Sequence, residues 1–86
     1  MDIDRPPVRG GCTQPGPALF APPRSKRAEV RAVIEDDGKL LRVEKVRGDD
    51  EVIEAIRRYF ATCTFEPGRR GGQPVRAALD QIFTFP

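Results

Sequence analysis

The sequence has no histidine, a single serine at Ser25 and two cysteines, Cys12 and Cys63. Each scarcity removes a class of chemistry. Without histidine the commonest general base is missing, and nothing stands ready to activate Ser25. Two cysteines fall short of a structural zinc site, which draws its ligands from Cys and His. No nucleophile–base pair can be assembled, so the chain is read as not an enzyme, with no catalytic, cofactor or metal site expected. The acid pairs Asp36-Asp37 and Asp49-Asp50 fall in a turn and at a helix start, where solvated carboxylates are ordinary. No apolar run approaches the ~20 residues of a membrane helix. The opening Met1-Asp2-Ile3-Asp4-Arg5 has no apolar stretch behind a basic one, so no signal peptide is expected.

Charge of one sign is also lacking. A third of the residues are charged, yet the net charge is only +2. Residues 1–27 carry +3 and residues 28–86 carry −1. A near-neutral folded part argues against a nucleic-acid binder, which shows a basic stripe. Arg69-Arg70-Gly71-Gly72 is read as a solvated loop. The two cysteines are compatible with one disulfide in an oxidising compartment, and equally with two separate thiols.

What is present is order of a simple kind. Six of the nine prolines lie in residues 1–27, with Gly10-Gly11 among them. Residues 1–23 are therefore expected to be an extended Pro/Gly-rich leader or linker end without regular structure. Its one apolar patch, Ala18-Leu19-Phe20, is expected to dock on the core. From Ala28 the texture changes. Ala28, Val30, Ala32 and Ile34 recur at every second position, with Glu29 and Arg31 between the first three, which marks a strand. Asp36-Asp37-Gly38 is a tight-turn signal, and 39–46 reads as a second strand with Leu41 and Val43 on one face. Asp49 or Asp50 is placed to cap a helix over 50–61. Val52, Ile53, Ile56, Tyr59, Phe60 and Cys63 form its apolar stripe. A short extended piece follows near 62–65, then Pro67-Gly68. Residues 74–85 read as one long strand, with Val75, Ala77, Leu79, Phe83 and Phe85 on one face and Gln81 interrupting. The expected fold class is α+β. It is a two-layer ββαβ sandwich, with a three-stranded antiparallel sheet, the first hairpin strand central, and one main helix on one face.

The ordered set of pieces resembles the C-terminal domain family of TonB energy transducers. The pieces are the 30–38 strand and acidic-glycine turn, Val43 and Val46, the helix, Phe65-x-Pro67, Gly72-x-Pro74-Val75 and Phe83-x-Phe85. Together they span nearly 60 residues, about two-thirds of the 86-residue chain. The resemblance implies a leader at 1–23 and a TonB/TolA C-terminal-like domain at 24–86. Many family members place a "Tyr-Pro-x-x-Ala" helix before the first strand. Pro22-Pro23 stands there in this chain, so that helix is expected to be shortened or lost. The resemblance further implies structural roles for Phe65, Pro67, Gly72, Pro74, Val75, Phe83 and Phe85, with Phe65 and Phe85 filling the core.

For function, the resemblance implies a periplasmic domain of an inner-membrane-anchored protein, the anchor lying outside this chain. Such a domain grips an extended segment of an outer-membrane receptor or other envelope protein and transmits force from an inner-membrane motor. The alternative is a docking or dimerising module of another trans-envelope machine, for gliding motility or secretion. In both, the partner strand is expected to add to the outer edge of the last strand, at Val75, Arg76, Ala77, Ala78, Leu79, Asp80, Gln81 and Ile82. The competing occupants of that edge are the leader and a second copy of the chain. In an oxidising compartment, a Cys12–Cys63 link would staple the leader to the domain.

Overall fold

Every second residue of Arg27–Ile34 is apolar, and burying that row organises the molecule. In the computed structural model, which describes residues 4–19 and 23–85, this segment is strand β2 and forms the centre of a sheet. Ala28, Val30, Ala32 and Ile34 are each at most 1% exposed. Strand β3 (Leu40–Arg47) pairs with it antiparallel on one side. The last strand of the chain (Ala77–Thr84), called β7 below, pairs antiparallel on the other. The first hairpin strand is therefore central, as expected. The turn between β2 and β3 needs Gly38 twice over. Its φ is 88°, and a Cβ there would lie 2.7 Å from the Phe65 carbonyl oxygen.

The period-two reading of β3 fails at one point. Ile34 faces Leu40 and Val33 faces Arg42, so Leu41 is an extra residue in a bulge. It is turned out to 44% exposure, while Val43 is buried and Leu40 packs against the core. A second irregularity sets Val46 outward in the same way.

Helix α1 (Asp50–Phe60) lays Val52, Ile53, Ala55, Ile56, Tyr59 and Phe60 inward. Asp50 and Glu51 in its first turn and Arg57 and Arg58 in its last complement the helix dipole. Asp49 is the N-cap by backbone, but its side chain caps nothing. Its Oδ2 instead accepts bonds from the amides of Arg24 (2.7 Å) and Ser25 (3.3 Å), which anchors the segment entering β2. Phe60 is fully buried at the centre of the core. The ring centroids of Phe65 and Phe83 lie 5.7 and 5.9 Å from its own. Phe65 and Phe85 are partly buried against this core.

The leader departs from expectation. Val8–Cys12 is a strand, β1, paired antiparallel with β4 (Cys63–Glu66). Cys12 and Cys63 face each other in this ribbon and form a disulfide. Gly10 permits the pairing, because a Cβ there would meet Thr64 Oγ1 at 2.6 Å. From the disulfide the chain continues with Thr13 N–H donating to Thr62 O at 3.2 Å, and Leu19 packs against the core. Phe20 and Pro22 lie outside the described residues; no helix precedes α1 among the residues described.

The expected 74–85 strand is broken at Arg76. Its first part belongs to a separate hairpin of β5 (Gly68–Arg70) and β6 (Gln73–Val75), so the Arg69-to-Gly72 stretch is not simply a loop. Gly71 and Gly72 both have positive φ, 56° and 79°, the requirement of a tight two-residue hairpin turn. The N-terminal segment lies along this hairpin: Arg69 N donates to Arg5 O at 2.9 Å, and Arg5 N to Arg69 O at 3.2 Å. The fold is α+β: the described residues form one helix, one three-stranded antiparallel sheet and two accessory strand pairs.

Candidate interaction edge

The two outer strands of the sheet present different edges. In β7 the register against β2 runs without a slip from Ala77–Ile34 to Thr84–Arg27. The amide of Phe85 donates to the carbonyl of Lys26 at 2.8 Å, which sets the phase of the ladder. Hydrogen-bonded pairs recur at every second residue, so Ala77, Leu79, Gln81 and Phe83 aim their backbone groups at β2. The amides and carbonyls of Ala78, Asp80, Ile82 and Thr84 therefore aim outward, and among the described residues no strand pairs with them.

Two charged side chains were expected near this edge, and both are drawn inward. Arg31 on β2 binds Asp80 (Nε to Oδ1, 2.8 Å), a contact that also makes the Arg31 guanidinium more basic. Arg76 forms a two-point contact with Glu35, one bond of which is 3.1 Å, and is raised likewise. Neither charge projects beyond the strand as a guard. Ile82 is 48% exposed on the outer face.

The outer edge of β3 is closed by contrast. It carries both irregularities in pairing. Its Val43 carbonyl, which points away from β2, accepts bonds from Nε and Nη2 of Arg57, both at 3.1 Å. Bulges and capped carbonyls are devices that block edge pairing. Arg57 also pairs with Glu54 one turn back along the helix. Its position one turn from the helix end carried no signal that it reaches a strand.

Comparison with known proteins found no matching family model, curated protein or solved structure.

Of the residues expected at the edge, Ala77, Ala78, Leu79, Asp80, Gln81 and Ile82 lie on β7. Val75 does not: it sits in β6 opposite Gly68, and Arg76 links the two strands. β7 has eight residues, the same as β2 and β3, so it is not longer than the strand it pairs with. Among the motif residues, Phe65 is on β4, Pro67 precedes β5, Gly72 makes the hairpin turn, Pro74 faces Arg69, Phe83 ends on the core side of β7 and Phe85 follows it. A contact missed in the sequence secures the leader. Arg9 donates to the Tyr59 hydroxyl, and its guanidinium carbon lies 5.3 Å from the Tyr59 ring centre.

At the start of α1, Lys45 Nζ lies 2.9 Å from Asp50 Oδ1 and holds that carboxyl below the usual aspartate range. A depressed carboxyl favours the fold fully above the ordinary range, and that contribution fades as pH falls through the depressed value. In Lys45→Met, the Asp50 midpoint followed by carboxyl NMR should rise back toward the ordinary range. An unmoved midpoint would assign the effect to the helix end instead.

Proposed function

We propose that this domain binds a partner protein by adding an extended segment of it to the outer edge of β7, as a fourth strand of the three-stranded sheet. The observation that carries this reading is the asymmetry of the two edges. β3 is bulged and capped by Arg57, whereas β7 is regular and, among the described residues, uncapped and flanked only by inward-drawn charges. Strand addition takes its affinity from backbone bonds and its specificity from alternate side chains.

The wider setting we propose is the periplasmic end of a TonB-like energy transducer, which grips an outer-membrane or envelope partner and relays force from an inner-membrane motor. The ββαβ succession of β2, β3, α1 and β7, with β2 central, supports this reading, as do the Phe65-x-Pro67 and Gly72-x-Pro74-Val75 motifs. The Cys12–Cys63 disulfide is in keeping with an oxidising compartment. A disulfide-tied strand, β1, stands ahead of β2, and Pro22-Pro23 occupies the place of the family's first helix; both favour as second reading a docking module of another trans-envelope machine.

The test is an amide titration of the labelled domain with an extended partner peptide. Shifts should be largest at Ala78, Asp80, Ile82 and Thr84, and smaller at the alternate residues already bonded to β2. Ile82→Pro removes one outward donor without removing a bond to β2, so it should abolish binding and leave the fold intact. Shifts clustered at Glu54, Arg57 and Arg58 on the exposed helix face would overturn strand addition.

A further inference from the structure

The core-facing row of β7 is Ala77, Leu79, Gln81 and Phe83, and Gln81 is its one polar member. It stands opposite Val30, which is fully buried, and is itself only half-buried because β7 is the last strand of the sheet. Among the described residues its side-chain amide makes no hydrogen bond. In the free domain water can satisfy that amide. A strand laid along β7 would place its own side chains beside Leu79, Gln81 and Phe83, and would exclude that water. An amide left unpaired on burial costs the full desolvation of its donor and acceptor groups.

We infer that Gln81 is the specificity-determining residue of the edge, and that the partner segment carries an Asn or Gln side chain between two apolar residues of the same face. This rests on the edge-binding reading above. The chemistry follows from what each group needs. The carboxamide of Gln81 offers both donors and an acceptor, and a second carboxamide returns both. Leu79 and Phe83 on either side, both partly buried hydrophobics packed against the core, ask for apolar neighbours. Cross-strand neighbours on one face are the unit by which sheets discriminate sequence. On the opposite face, Asp80 is already held by Arg31, so it makes no demand for a basic partner residue. The required pattern is apolar, amide, apolar at every second position.

The probes are two seven-residue peptides, Thr-Val-Thr-X-Thr-Val-Thr, with X either Gln or Val. A spin label at one peptide end reads the register. The Gln peptide should bind the wild-type domain roughly tenfold more tightly than the Val peptide, the scale of one hydrogen-bonded pair lost. Gln81→Leu should reverse that order, and Gln81→Asn should retain it. Shifts at the outward amides with an equal Gln-to-Val ratio in wild type and Gln81→Leu would overturn the inference and leave edge binding standing. No shifts at 78–84 with either peptide would remove both.

Discussion

Phe60→Ala should lower the melting temperature by at least about 12 °C. Phe60 has no exposed surface and its ring is within aromatic contact of Phe65 and Phe83. Truncating a buried Phe costs about 3–5 kcal/mol in lost transfer energy and residual cavity. A domain of this size has roughly 4–13 kcal/mol in total, at about 0.05–0.15 kcal/mol per residue. Each kcal/mol moves the midpoint by about 4–8 °C at this length. The loss should reach beyond the helix, because Phe60 touches β4 through Phe65 and β7 through Phe83. Amide exchange at both strands should therefore rise together. Phe60→Leu, which keeps most of the apolar volume, should cost far less. An unchanged melting temperature for Phe60→Ala would mean that the helix does not turn this face to the sheet.

Removing the Cys12–Cys63 disulfide should cost nearly as much. The bonded residues are 51 positions apart. In the chain-entropy account a loop of this length is worth about 4 kcal/mol, and native disulfides in small domains are worth about 2–5. The double variant Cys12→Ser, Cys63→Ser should melt lower by a comparable margin. Its amide protection should fall first at β1, which then rests on its pairing to β4 and on the contacts of Arg9 with Tyr59 and Phe60. Thiol counting of the unfolded, unreduced wild type should find none free. Two free thiols would remove the link, and with it the expected effect.

Most of the sheet was legible because its residues speak locally. Ala28, Val30, Ala32 and Ile34 alternate, Asp37-Gly38 turns the chain, and the helix stripe recurs at three and four residues. The parts that were not legible depend on distant neighbours. β1 contains Gly10 and Gly11 and little β propensity; it is a strand because Cys63–Glu66 lies beside it. Leu41 obeys the alternation on paper, and only the bulge against β2 reveals that it points outward. Asp49 has the cap position but spends its carboxylate on the Arg24 and Ser25 amides, a contact across 25 residues that no local rule foretells. The edge itself was readable as far as 77–82. That β3 is the closed side was not, since it turns on Arg57 reaching the Val43 carbonyl.

The disulfide also decides which parts of the chain bear tension. When a chain is drawn taut between its two ends, a covalent bridge short-circuits the loop it closes. Here residues 13–62 lie inside that loop, and with them β2, β3 and α1. About 50 residues, or roughly 165–180 Å of extended chain at about 3.3–3.6 Å each, cannot be paid out while the bridge holds. Tension entering from the N-terminal side crosses from Cys12 to Cys63 and runs on through β4, the Gly71-Gly72 hairpin and β7. The sheet centre and the helix thus serve as a folded backing for β7, held beside the taut line and never forming part of it.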